Sequence, residues 1–172
     1  MFETRSLSAS EARLYAGLLA DVLLDCIAGG ASVSFMASMS RAEAVAFFEQ
    51  VADGVLRGDR ILLAAFVNTI VVGTVQVLTR MPPNQPHRAD ISKLLVRRSA
   101  RGQGVGRRLM QQAEEASGLA GKTLLVLDTA TGGVGEKLYV SLGWTRAGVI
   151  PNYALYPDGS SCDTTIFWKK LQ

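Results

Sequence analysis

Val96-Arg97-Arg98-Ser99-Ala100-Arg101-Gly102-Gln103-Gly104-Val105-Gly106-Arg107-Arg108-Leu109 sets a glycine-rich turn between a β-rich segment and a helix-forming one. Glycine has no Cβ, so backbone amides in such a turn can approach an anion closely. A helix starting at Val105 adds amides that its own ladder leaves unpartnered, together with the positive end of its dipole. Phosphate or pyrophosphate is the natural occupant. Charge-assisted hydrogen bonds contribute about 1.5 to 3 kcal/mol each, so several converging donors hold a multiply charged ligand firmly.

Charge gathers around this turn. Lys93 to Ala113 holds six basic residues (Lys93, Arg97, Arg98, Arg101, Arg107, Arg108) and no acidic one, while the rest of the 172-residue chain has 12 basic against 15 acidic. The formal net charge of +3 is therefore +6 in one stretch and −3 elsewhere. That pattern favours one local anion site over nucleic-acid binding, and the basic segment lacks interleaved aromatics. A solvated basic face is the alternative reading of the same charges. At 48% apolar and 19% charged, the composition excludes a disordered or collagen-like chain, and the length suits one domain over residues 1–172.

Three phosphate-binding patterns compete for the turn. A Walker loop needs Lys followed by Ser or Thr after its last glycine, where this chain has Arg107-Arg108. A Rossmann turn gains from Asp128 at the end of the next predicted strand. It fails at its third glycine position, which is Arg107, and at the five residues that separate Val96 from Gly102. The third pattern is Arg or Gln, two residues, Gly, one residue, then Gly or Ala. Arg101, Gly104 and Gly106 match it.

Working outward, the apolar spacing predicts a helix over 10–28, and Ser40 with Glu43 forms a capping box that opens a second helix through Leu56. Ile61 to Thr79 is uncharged and long enough to suggest a membrane span, but Asn68-Thr69 interrupts it and its second half largely alternates with period two, so it reads as a β-hairpin. A proline-bearing loop from Met81 to Arg88 and a strand from about Ala89 to Val96 follow. Then come the helix from Val105, a strand over Thr123 to Asp128, a short helix with Val134, Leu138 and Leu142 on one face, and two strands near Trp144 to Gly148 and Ser161 to Lys169. Cys26 and Cys162 show no metal spacing, so no metal is expected. Met1 to Ser10 has no apolar run of the kind a secretory signal needs, which together with the cysteines points to a reduced cytoplasmic chain.

With these elements in place, the chain resembles the GNAT family, the GCN5-related N-acetyltransferases. The resemblance rests on Arg101, Gly104 and Gly106 after Lys93-Leu94-Leu95-Val96, and on Leu138-Tyr139-Val140-Ser141-Leu142-Gly143-Trp144, similar to a family signature. His87-Arg88-Ala89-Asp90, Leu127-Asp128-Thr129 and Pro157-Asp158-Gly159 more weakly resemble the tabtoxin-resistance acetyltransferases. The resemblance implies a mixed α/β fold: a mostly antiparallel sheet of about seven strands flanked by about four helices, with strands 4 and 5 splayed apart. It implies acetyl-CoA in that gap, its pantetheine against the backbone of Leu95 and Val96. The pyrophosphate would lie on the amides of Gly102, Gln103, Gly104, Val105 and Gly106 and the Arg101 side chain, with Arg107 reaching a further phosphate. Tyr139 matches the family's tyrosine near the CoA sulfur. The family often has Asn where this chain has Gly132, leaving Thr129, Thr131 or the helix-start amides to substitute.

The implied reaction is direct attack by an amine on the thioester. A free amine of pKa about 10.4 is protonated at pH 7 and must lose a proton, and the departing thiolate, conjugate acid pKa about 8.5, must gain one. A tyrosine suits the second role. Asp90 and Asp128 are candidate bases, directly or through water, with His87 as an outsider; the two carboxylates could equally bind a cationic acceptor or be solvated strand ends. The acceptor is expected to be a small-molecule primary amine, amino-acid-like or an antibiotic or toxin amine. The first two helices, the Met81–Arg88 loop and the Val149–Ser160 loop are expected to select it. No nucleic acid or membrane partner is expected, and Tyr153, Tyr156, Phe167 and Trp168 are candidates for a homodimer surface. The alternative function is a non-catalytic acyl-CoA-binding regulatory module.

Overall fold

Two capping boxes start helices on one face of the sheet. Ser8 and Ser40 accept from the amides of Glu11 and Glu43, whose carboxylates accept from the serine amides at 2.9 and 2.7 Å. In the computed structural model, which describes residues 1–171, the chain runs β1 (Glu3–Leu7), α1 (Ala9–Leu14), α2 (Ala16–Ala28), α3 (Arg41–Leu56), β2 (Arg60–Val67), β3 (Ile70–Leu78) and β4 (Arg88–Val96). It continues through α4 (Val105–Leu119), β5 (Leu124–Ala130), α5 (Val134–Ser141), β6 (Thr145–Leu155) and β7 (Ser161–Lys170). The sheet order is β1-β2-β3-β4-β5-β7-β6, with β4 and β5 parallel and every other pair antiparallel.

The helix expected over 10–28 is divided at Tyr15 (φ −95°, ψ 5°), giving five α-helices where about four were expected. Hydrogen bonds from the Tyr15 amide to Glu11 O and from the Leu19 amide to Tyr15 O, both 2.9 Å, keep the apolar faces in phase across the break. The Tyr15 ring meets Phe66 edge-on at 5.2 Å, with the Arg5 guanidinium 5.8 Å away, contacts that local spacing cannot reveal.

Each face of the sheet carries a core. Leu62 and Ala64 of β2 pack beneath α2 and α3 with Leu19, Leu23 and Phe48, while Leu63 and Ala65 face the other way with Leu109, Met110, Leu125 and Phe167. Burial on both faces explains why Ile61 to Thr79 is so uniformly apolar. It forms the hairpin, turning at Asn68 (φ 53°), and no helix among the described residues is long and apolar enough to cross a membrane.

The β4–β5 ladder is short. It joins Arg88 to Leu124, Ala89 to Leu125 and Asp90 to Val126; beyond that the strands part, β4 remaining on β3 and β5 on β7. Within the parted stretch β4 bulges. Thr74 faces Leu95 and Gln76 faces Ser92, so Val75 opposes both Lys93 and Leu94, and Lys93 takes φ 53°. The extra residue reverses the faces that follow it.

The Val149–Ser160 stretch, expected as a loop, is mostly strand. β6 continues to Leu155 through an irregularity between Ile150 and Ala154, with Asn152 at φ 53°. β6 is the sheet edge, so Pro151 withdraws no donor that an outer neighbour needs. Tyr153 is exposed, but Phe167 is buried against the α4 core and cannot belong to a dimer surface.

Candidate functional site

The glycine turn bends through the left-handed region twice, at Gly102 (φ 74°) and Gly104 (φ 85°), where a side chain would be strained although open space surrounds both. Gly104 caps α4, leaving the first-turn amides of Val105, Gly106 and Arg107 facing outward. A cavity of about 370 Å³ adjoins these amides, walled also by Val96, Arg101 and Leu138. Gly106 admits α5 closely: a Cβ there would stand 3.4 Å from Leu138 Cδ2. Gly73 similarly admits α4 to the sheet, since a Cβ would stand 3.0 Å from the Leu95 carbonyl and 3.1 Å from Val105 Cγ1.

The +6 segment divides into two sets. Arg97 reaches Asp21 at 4.0 Å, Arg98 pairs with Asp25 at 2.9 Å and Arg108 with Glu115 at 3.6 Å. Asp25 also accepts from the Arg98 amide at 2.7 Å, which ties the end of α2 to the turn. Burial pushes the Asp25 carboxyl up, but those bonds outweigh it and its pKa is lowered. Arg101, Arg107 and Lys93 have no carboxylate within 4.0 Å among the described residues. Arg101 Nε donates to the Val96 carbonyl at 3.1 Å and its guanidinium lies 3.8 Å from the Cys26 sulfur, while Arg107 donates to Ser141 Oγ at 2.8 Å. Gln103 turns back to the Ser99 carbonyl at 3.2 Å. Leu95 is buried on β4, where it pairs with β3.

A second cavity, of about 360 Å³, opens between the parted strands and shares Leu94 with the first. Lys93, Asp128, Tyr139, Ser34 and Phe35 line it. Tyr139 is 6% exposed, with Trp144 and Phe167 at ring distances of 6.1 and 5.8 Å. Gly135 makes room for it, because a Cβ there would lie 2.9 Å from Thr129 Oγ1 and 3.3 Å from Tyr139 Cε2. Burial, reinforced by the Asp128 charge, raises the Tyr139 phenol far above the ordinary tyrosine range, so it holds its proton at neutral pH.

The two candidate bases are placed differently. Asp128 lines the second cavity, whereas Asp90 lines neither and is bonded to the Arg88 guanidinium. Burial raises the Asp90 carboxyl, with Arg88 opposing and Asp128 adding to the shift. His87 is exposed at the other end of β4, its carbonyl accepting from the Thr123 and Leu124 amides. The Met81–Arg88 loop also lies outside the cavity, held by Lys122 Nζ bonding to the Thr79 and Pro86 carbonyls, both at 2.8 Å. The stretch from Ser32 to Met36, between α2 and α3, lines the cavity instead, with Ala154 and Leu155 of β6. Sequence reading missed Lys93 as a cavity residue and missed Ser34 and Phe35 altogether. The basic charge of Lys93 was visible, but its direction depends on the bulge.

At the start of α5, the Gly132 amide donates to Glu136 at 2.7 Å and Thr131 shares a 2.9 Å hydrogen bond with Thr165. Of the residues that could stand in for the family's Asn, Thr129 lines the cavity.

Comparison with known proteins agrees with this fold. A model of the GNAT acetyltransferase family matches residues 26–144. Among solved structures, an N-acetyltransferase from Staphylococcus aureus Mu50 is 19% identical with a TM-score of 0.83, covering 100% of this chain and 99% of its own. A Salmonella typhimurium structure with its cofactor acetyl-CoA is 18% identical with a TM-score of 0.81, covering 99% and 94%. A ribosomal-protein-alanine N-acetyltransferase from Brucella melitensis is 19% identical with a TM-score of 0.83, covering 98% and 99%. At these identities the likeness is one of fold.

Proposed function

Because this chain belongs to the GNAT acetyltransferase family, we propose that it transfers an acetyl group from acetyl-CoA directly to the primary amine of a small molecule, the whole chain acting as one domain. The observation that carries this reading is the meeting, at Leu94, of an anion-binding turn and a tyrosine-bearing cavity between parted strands.

The residues present fit acetyl-CoA. The amides from Gly102 to Gly106 and Arg101 and Arg107, neither in an ion pair among the described residues, suit a diphosphate and a further phosphate, and the edge of β4 that β5 leaves free suits an extended pantetheine arm beside Leu95 and Val96. Bound there, acetyl-CoA supplies the acyl group already activated as a thioester. In the net transfer a C–N bond to the acceptor forms as the C–S bond breaks. Asp128 takes the amine proton, directly or through water, and Tyr139 Oη gives a proton to the sulfur. Burial keeps the phenol protonated, as a donor must be, while making it a weaker acid, and it opposes a base role, since a phenolate at this position is strongly disfavoured. Asp128 is preferred to Asp90 because it lines the cavity and is free of an ion pair among the described residues.

Titration with acetyl-CoA, followed by a panel of primary amines with detection of free thiol, tests the proposal. Acceptor-dependent thiol release is expected. Tight acetyl-CoA binding without release by any amine would instead identify a regulatory acyl-CoA-binding module.

A further inference from the structure

Lys93 and Asp128 line one cavity from its two parted strands, and neither forms an ion pair among the described residues. Lys93 projects from the bulge at φ 53°, an uncommon conformation for a residue with a side chain. Its ammonium donates to Ser34 Oγ at 2.9 Å and stands 5.8 Å from the Phe35 ring centroid. Burial lowers its pKa, with the Asp128 charge opposing the shift and the Arg60 charge adding to it, and no carboxylate comes within 4.0 Å of it among the described residues. The remaining lining is uncharged, made of the hydroxyls of Ser32, Thr129 and Thr164 and of apolar side chains such as Ile91, Leu94 and Met36.

A half-buried ammonium and an exposed carboxylate stand on the two strands that line one small cavity, with no ion pair to either among the described residues. A ligand carrying both charges would offset the two at once. We infer that the acceptor is a zwitterion of the amino-acid type, its ammonium at Asp128 and its carboxylate at Lys93, with Lys93 the residue that selects it. This rests on the acetyltransferase reading above. The orientation follows from the proposed chemistry: Asp128, which lines the cavity with Tyr139, is the proposed base and must meet the ammonium, whereas Lys93 is anchored to the Ser34 stretch. The volume, about 360 Å³, suits a single amino acid or a molecule somewhat larger.

The test compares free amino acids with their carboxamides and with matched amines lacking the carboxyl group, by thiol release from acetyl-CoA. Wild-type protein is expected to favour the acids in kcat/KM by about 10- to 100-fold, the range of one charge-assisted contact. In Lys93→Met that preference disappears, mainly through KM for the acids, whereas Lys93→Arg keeps most of it and serves as the folding control. Calorimetry on CoA-saturated protein gives a readout without turnover: the acids bind more tightly than the carboxamides, and Lys93→Met removes the difference. Equal kcat/KM for acids and carboxamides, or an unaltered preference in Lys93→Met, overturns the inference while leaving an acetyltransferase in place. Absence of thiol release with every amine, in protein that binds acetyl-CoA, overturns the function itself and this inference with it.

Discussion

Ile91 and Leu95 lie four residues apart on β4 and face opposite cores. Ile91 packs with Leu109 and Leu125 beneath α4, and Leu95 with Leu19 and Leu23 beneath α2. On a regular strand residues so spaced share a face. The bulge at Lys93 and Leu94 separates them, and Lys93 of the same bulge lines the cavity that Asp128 lines from β5. Packing and site are therefore set by one irregularity.

Tyr139→Phe removes the proposed proton donor with little change of volume. Turnover is expected to fall about 100-fold or more while the acetyl-CoA Kd stays within about twofold. Because burial holds the phenol protonated above the ordinary tyrosine range, wild-type kcat is expected to show no tyrosine titration near pH 10. Steady-state kinetics over pH 7 to about 10 check both statements; unchanged turnover in the variant removes the acid role.

Arg101→Ala loses a guanidinium beside the turn together with its bond to the Val96 carbonyl. Acetyl-CoA affinity is expected to drop by about 1.5 to 3 kcal/mol, roughly 10- to 100-fold, and calorimetry measures it. Equal affinity in the two proteins would count against Arg101 as a pyrophosphate ligand.

Gly104→Ala and Gly135→Ala should fail for different reasons. At Gly104 the added methyl meets open space, so the loss comes from backbone strain at φ 85°, about 1 to 2 kcal/mol, with weaker acetyl-CoA binding as the turn shifts. At Gly135 the backbone is ordinary but the methyl collides with Thr129 and presses on Tyr139, so turnover suffers more than cofactor affinity. Melting temperatures, Kd and kcat for the pair separate the two mechanisms.

Acid destabilises this protein in part through Glu11 and Asp25. Bonds from the Ser8 amide and hydroxyl and from Arg5 pull Glu11 down to about 2. For Asp25, burial raises the pKa, and the bonds and charge of Arg98 more than reverse that. Folded-state values below the unfolded ones mean stabilising contributions that are lost as pH falls; for Glu11 the contribution is complete above about pH 4.5 and lost as pH falls toward 2. Urea unfolding across that window should show stability falling with acid, and Glu11→Gln should flatten part of the slope.

Much of the fold was legible because its signals are local. The Ser40 capping box, the hairpin turn at Asn68-Thr69 and the glycine spacing from Gly102 to Gly106 each act within a few residues of chain. The break at Tyr15 was not legible, since it accompanies contacts to Phe66 and Arg5 from other strands, and neither was the length of β6, whose irregular stretch is flanked on both sides by pairing with β7.

The sequence by itself determined that a glycine-rich turn stands between a strand and a helix, and that a tyrosine-bearing helix follows the next strand, because glycine conformation and helix periodicity are properties of neighbouring residues. Only the tertiary structure decided which charges are free to act. It pairs Arg97, Arg98 and Arg108 with carboxylates, bonds Asp90 to Arg88, and leaves Arg101, Arg107, Lys93 and Asp128 at the two cavities. Ion pairing and strand parting depend on residues brought together from distant parts of the chain, and no local spacing encodes them.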